Sequence, residues 1–278
     1  MAFLTVGKEN SADIQLYYED GGSGRPVVLI HGWPLNGGSW ERQAAALTAA
    51  GYRVITYDRR GFGRSSQPLG GYDYDTLAKD TYHLLESLDL KDATLVGFSM
   101  GGGEVARYMS RHEGRKVRAA GLIASVVPYL LKDDSNPGGV DASVFDEQMK
   151  KPIRQDRPTF FAHFAKAFYG VGYITSPVTE AVLQHFTHMA AQGSIKGVLD
   201  CIDAFGKTDF RSDLSAFSTP TLIVHGTADQ TVPIDLSARA AARSISQATL
   251  LEYEGEPHGI LVTAKDRLAR DMLAFLAG

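Results

Sequence analysis

The chain has 278 residues, 44% of them apolar, which suits one large α/β domain or a core carrying an inserted subdomain. A formal net charge of −4 speaks against nucleic acid or an anionic membrane as a partner. The single cysteine, Cys201, excludes an internal disulfide and fits a reducing compartment.

No basic stretch precedes a long apolar one near Met1, and no run approaches the length of a membrane span. A cytoplasmic protein is therefore expected. Two alternating segments, Phe3 to Val6 and Ile14 to Glu19, flank the polar turn Gly7 to Ser11 and predict an antiparallel hairpin. Val27-Val28-Leu29-Ile30 has no alternation, as befits a strand buried on both faces. A helix over Ser39 to Ala50 and a strand over Tyr52 to Tyr57 follow. The glycine-rich stretch Asp58 to Ser66 has neither a Walker lysine context nor dinucleotide spacing, so it reads as a tight connection pinned by its charges.

Helical periodicity returns over Tyr74 to Leu88, with Leu77, Thr81, Leu84, Leu85 and Leu88 on one face. Ala93 to Val96 reads as a strand, and Gly102 to Met109 as a helix. Between them lies Gly97-Phe98-Ser99-Met100-Gly101. Val117 to Ser125 gives another strand, and the alternation predicts a parallel sheet with helices on both sides. From Pro128 to Asp213 four helix candidates follow without a strand: Ser143 to Lys150, Thr159 to Tyr169, Pro177 to Ala191 and Ile195 to Phe205. Strands resume at Thr221 to Val224 and Ala248 to Tyr253, and a helix over Thr263 to Leu276 comes last. The expected division is a first core part, 1–127, a helical cap, 128–213, and a second core part, 214–278.

The G-x-S-x-G turn between strand and helix is where a serine becomes a nucleophile at the top of a parallel sheet. Its glycines admit a tight turn, and the helix behind it aims free N–H groups at an oxygen that gains negative charge. A serine hydroxyl needs a base, and the base needs an orienting carboxylate. His258, after the last strand, and Asp229, after the strand before it, supply them in the chain order Ser99, Asp229, His258. Asp133 and Asp134 are poorer acids, being on a loop. Pro34 has no N–H, so in His31-Gly32-Trp33-Pro34 the Trp33 N–H is the best second oxyanion donor beside that of Met100. His31 reads as a turn residue bonding backbone. His185 and His188 lack a third ligand for a metal site, and Cys201 reads as a buried structural thiol. Tyr129, Phe160, Phe161, Phe164 and Phe168 would line an acyl pocket or equally serve core packing. The substrate-binding set is Trp33, Pro34, Phe98, Tyr129, Phe160, Phe164 and Val232.

Taken together, His31-Gly32-Trp33-Pro34, Tyr57 to Gly63, Gly97 to Gly101 and Glu254 to Gly259 resemble the cofactor-free, non-haem haloperoxidases and aryl esterases of the α/β-hydrolase superfamily. The resemblance covers nearly the whole chain and is weakest over Lys150 to Gly206. It implies a mostly parallel eight-stranded sheet flanked by helices, with a helical cap insertion. It also implies ester hydrolysis through a serine acyl-enzyme, and perhydrolysis when hydrogen peroxide replaces water. Ser99, His258 and Asp229 match the family's triad, and Trp33 with Met100 its oxyanion donors. The peracid would oxidise bromide or chloride away from any dedicated halide site. Proline at position 34 is associated in the family with perhydrolase activity, through the direction of the Trp33 carbonyl; the alternative is that Pro34 only stiffens the loop.

The expected reaction needs neither cofactor nor metal. The expected partners are a small ester or carboxylic acid and, for perhydrolysis, hydrogen peroxide, with a homo-oligomer open. Lactonase or carbon–carbon bond hydrolase chemistry would use the same triad, and a ligand receptor on a hydrolase scaffold is a further alternative. Dehalogenases and epoxide hydrolases are disfavoured because they need a carboxylate where Ser99 stands.

Overall fold

The computed structural model describes residues 2–278 except residues 173 and 175. Eight strands form one sheet: β1 (Ala2–Glu9), β2 (Ala12–Gly21), β3 (Pro26–Ile30), β4 (Arg53–Tyr57), β5 (Ala93–Phe98), β6 (Val117–Ile123), β7 (Thr221–Gly226) and β8 (Ala248–Tyr253). Their spatial order is β1-β2-β4-β3-β5-β6-β7-β8. The pairs β1–β2 and β2–β4 are antiparallel and all others parallel.

The burial of each strand follows its composition. In β2, Ile14 and Leu16 are buried while Asp13 and Gln15 face solvent. In β5 and β7 every residue is buried, because helices cover both faces of the central sheet. The hairpin turn is shorter than expected. Glu9 pairs with Ala12 across a two-residue loop, and Asn10 takes a left-handed φ of 54°. The polar residues Gly7 to Glu9 thus belong to β1, an edge strand whose outer positions tolerate them.

The helices α1 (Glu41–Ala49) and α9 (Lys265–Ala277) pack together, as do α2 (Tyr74–Ser87) and α3 (Met100–Arg111). A single 3-10 turn, Gly37–Trp40, precedes α1, so the predicted start at Ser39 lies within that turn. Between β6 and β7 the chain runs through a π-helical stretch, Val144–Lys150, and α4 (Lys151–Phe168), α5 (Glu180–Ala191) and α6 (Ile195–Lys207). Of these, α4 differs most from expectation. Residues 151–158 are also helical, and α4 breaks at Asp156, where φ is −153°. The Asp156 carboxylate accepts the Thr159 N–H at 3.1 Å and so caps the second half. Pro152 and Pro158 each sit in the first turn of a half, where a missing N–H costs little. The short α7 (Ala238–Ser244) was not anticipated, and α8 (Ile260–Thr263) forms a separate turn before α9. Among the described residues no helix is long and apolar enough to cross a membrane.

This topology places four loops at the carboxyl ends of parallel strands, along one edge of the sheet. They follow β3, β5, β7 and β8, and they carry His31 to Trp33, Ser99, Asp229 and His258. Open α/β sheets bind their ligands at this edge.

Candidate active site

Ser99 sits between β5 and α3 with φ 53° and ψ −119°, a conformation that side chains rarely adopt. Its N–H donates to the Ile123 carbonyl at 2.8 Å, which anchors the strained turn to β6. The glycines around it are steric requirements. A β-carbon on Gly97 would run into the Gly101 carbonyl, and one on Gly101 would lie 2.5 Å from the Ile30 carbonyl oxygen. The turn therefore closes only because both positions lack side chains.

The three loop tips converge. His258 Nε2 lies 2.9 Å from Ser99 Oγ, and His258 Nδ1 lies 2.6 Å from Asp229 Oδ2. The other Asp229 oxygen, Oδ1, accepts the N–H groups of Thr231 at 2.9 Å and Val232 at 2.8 Å. Burial alone would raise the Asp229 carboxyl. The charge of His258 and the N–H donors of His225 and His258 outweigh it, so the group lies well below the usual carboxylate range. The His258 loop is tied down by the Gly259 N–H, which donates to the Phe168 carbonyl at 2.8 Å. Phe98 and Phe168 flank the imidazole, with ring centroids 5.3 and 4.9 Å away.

The His31 to Trp33 loop presses on Ser99: a β-carbon on Gly32 would lie 2.9 Å from that of Ser99. The Met100 N–H opens α3 and has no partner within the helix. The loop is held from beneath by a buried network. Arg59 donates through its backbone N–H to His31 Nε2 at 2.9 Å and through its guanidinium to the His31 carbonyl at 2.7 Å. The same guanidinium meets Glu104 of α3 at 2.8 Å, and Tyr57 and Thr81 donate to the other Glu104 oxygen. His31 Nδ1 then donates to the Gly32 carbonyl at 2.8 Å. Burial first, and the Arg59 charge second, hold this imidazole well below its ordinary range. His31 is the backbone-bonding turn residue it was expected to be. In the glycine-rich stretch, Arg60 forms two bonds of 2.7 Å to Asp80, and Asp58 accepts the N–H groups of Gly37 and Arg64, each at 2.8 Å. The charges do pin that connection.

A cavity of about 200 Å³ lies over Ser99 and His258, walled mainly by apolar side chains. Trp33, Phe160, Phe164 and Val232 border it. Three other residues of the expected substrate-binding set do not. Phe98 is fully buried behind the imidazole, packed on Trp40 and Phe168. Tyr129 donates its hydroxyl to Asp133 at 2.7 Å and lies buried under the Arg211 guanidinium, so its ring packs outside the cavity. Pro34 is buried and borders no part of the cavity. The peptide bond before it is cis.

The walls that sequence reasoning missed come from the first half of the helical segment and from α6: Leu130, Val144, Phe145, Met149 and Phe205. The Trp33 indole N–H donates to the Val198 carbonyl of α6 at 3.0 Å, which joins the His31 to Trp33 loop to that helix. Phe161 and Phe168 are core residues, at 1% and 2% exposure. Another missed group is His225, whose Nε2 lies 3.0 Å from Asp229 Oδ2. Its signal was its position at the end of β7, four residues before the acid.

The remaining candidates stay apart from the site. Cys201 is fully buried and burial pushes its thiol up to about 12. His185 and His188 border different grooves on α5, and no group of three His, Cys, Asp or Glu side chains among the described residues is placed to hold a metal ion. Asp133 accepts from Tyr129 and Ser135, remote from His258 in its bonding.

The strand-loop geometry and the Ser-His-Asp line define an α/β-hydrolase, and a family model described as the alpha/beta hydrolase fold matches residues 25–265. The chain belongs to that family. Within it, the chain is 46% identical over 265 residues to a non-heme chloroperoxidase from Kitasatospora aureofaciens, covering 95% of this chain and 96% of the relative. A bifunctional esterase/perhydrolase from Acinetobacter calcoaceticus is 36% identical over 266 residues, with the same coverage of 95% and 96%. Among solved structures, the bromoperoxidase from Bacillus anthracis superposes with a TM-score of 0.96 at 47% identity, covering 100% of this chain and 99% of that one.

Proposed function

We propose that this protein is a serine esterase of small, predominantly apolar acyl groups, including aryl esters, with perhydrolase activity that yields peracids from hydrogen peroxide and so gives apparent haloperoxidase activity. The observation that carries it is the line from Ser99 Oγ through the His258 imidazole to Asp229, at 2.9 and 2.6 Å, opening into an apolar cavity. The names of the haloperoxidase and esterase/perhydrolase relatives support the second activity.

In this reading Ser99 Oγ attacks the ester carbonyl while His258 Nε2 takes the hydroxyl proton. The negative oxygen is received by the N–H groups of Met100 and Trp33, each donor being worth about 3 kcal/mol in sites of this kind. Asp229 stabilises the imidazolium through Nδ1, and Nε2 returns the proton to the departing alkoxide. The acyl-enzyme is then attacked by water, giving the acid, or by hydrogen peroxide, giving the peracid. In both cases His258 takes the proton of the attacking molecule and hands it to Ser99 Oγ as the C–O bond breaks. The helices of 128–213 act as the cap that shapes the acyl pocket, and the lone Cys201 supports a cytoplasmic setting.

Ser99→Ala should abolish hydrolysis of an aryl acetate and labelling by a fluorophosphonate; undiminished turnover rules out this nucleophile. A parallel assay of hydrolysis and peracetic acid formation in wild type and Pro34→Leu tests the second activity. Peracid formation should fall relative to hydrolysis, and an unchanged ratio rules out a role for Pro34.

A further inference from the structure

We propose that Met149 is a site of self-modification, oxidised to the sulfoxide by the peracid formed at Ser99; this rests on the perhydrolase reading above. Met149 borders the same cavity as Ser99 and His258. It is half-buried, whereas Met100 and Met109 are 0% exposed, Met272 2% and Met189 6%. The one thiol, Cys201, is fully buried. Met149 is thus the sulfur among the described residues that both borders the reaction cavity and is reachable. Its neighbour Gln148 also borders the cavity and is exposed, so the cavity reaches solvent beside Met149. A peracid leaving Ser99 by that opening passes the thioether.

The step balances without another reactant. The O–O bond of the peracid breaks, its distal oxygen forms the S–O bond, and the proton that oxygen carried passes to the carbonyl oxygen, leaving the carboxylic acid. Sulfur is oxidised by two electrons and the peroxide reduced by two. The product replaces a flexible apolar side chain with a polar one. Around it stand Leu130, Val144 and Phe145, so the change weakens the hold on an apolar acyl group. The enzyme's affinity for its substrate then falls as perhydrolysis proceeds, and methionine sulfoxide reductase reverses the loss.

The test incubates wild type and Ser99→Ala with acetate and hydrogen peroxide in halide-free buffer, follows peracetic acid independently, and maps oxygen addition by peptide mass spectrometry. Wild-type Met149 should gain one oxygen about tenfold faster than the buried methionines. Met149 of Ser99→Ala should stay unmodified until peracetic acid is added from outside. KM for an aryl acetate should rise in the treated wild type and return after reductase treatment, whereas Met149→Leu should hold whatever KM it starts with. Peracid formed while Met149 stays intact overturns the Met149 assignment alone. A wild type that forms no peracid overturns both the perhydrolase reading and the self-modification. Equal oxidation of Met149 in Ser99→Ala before any peracid is added also overturns the proposal, since bulk peroxide then suffices.

Discussion

His225 Nε2 lies 3.0 Å from Asp229 Oδ2, the same oxygen that His258 Nδ1 approaches at 2.6 Å. That nitrogen also lies 2.8 Å from the Val232 carbonyl, so it faces two acceptors and carries a proton. Its ring partner, Nδ1, is buried without a partner. His225 thereby fixes the acid from the end of β7, while the N–H groups of Thr231 and Val232 fix it from the following loop. It is a positioning residue, acting through Asp229.

Replacing it tests that role. A hydrogen bond to a charged group is worth about 1.5–3 kcal/mol, so His225→Leu should lower kcat/KM for an aryl acetate by roughly 10- to 100-fold. With one donor fewer the Asp229 carboxylate loses part of what holds it below the usual carboxylate range and is protonated at higher pH. The acid limb of the pH profile should therefore move to higher pH, and His225→Asn should restore part of both effects. A limb that stays in place reduces His225 to a packing role.

Asp229 also makes a prediction about stability. Its folded-state carboxyl is held below its ordinary value near 3.8 despite burial, chiefly by the His258 charge and the N–H groups of His225 and His258. A depressed acid stabilises the fold fully above its unfolded pKa and loses that contribution as pH falls toward its folded pKa. The stability advantage of wild type over Asp229→Asn should shrink as pH falls below about 4. Urea denaturation across that range reads it, and an advantage that grows on acidification contradicts it. The same variant should lose about 10⁴-fold in kcat.

Glu104 offers a test of the scaffold under the His31 to Trp33 loop. Its side chain is 0% exposed and its partner Arg59 1% exposed. Breaking one side of such a pair costs about 3–5 kcal/mol because a charge is left buried and uncompensated. Glu104→Gln should unfold at a correspondingly lower urea concentration, and replacing both partners together, Arg59→Met with Glu104→Leu, should recover much of the loss. A midpoint equal to wild type in the single variant would show that the pair is dispensable.

How much of this was legible in the chain varies with the range of the forces involved. The strand-turn-helix around Ser99 was readable because its steric demands are local: Gly97 and Gly101 are needed within the turn itself and where it meets β3. The ends of β7 and β8 were readable from their apolar runs, which put Asp229 and His258 on loops at one sheet edge. His225 carries no such signal: it directly follows the apolar run Thr221 to Val224, and its partner depends on how the next loop folds back. Phe98 and Tyr129 were assigned to the pocket on residue type. One ring lies behind the imidazole and the other is buried under the Arg211 guanidinium.

By itself, then, the order Ser99, Asp229, His258 within alternating strands and helices determined the reaction edge, since local sterics and strand burial act over a few residues. Only the tertiary structure decided which side chains wall the space above it. Met149, Phe205 and Leu130 reach the cavity from separate segments, and helices without a sheet register to align them take their facing from mutual packing.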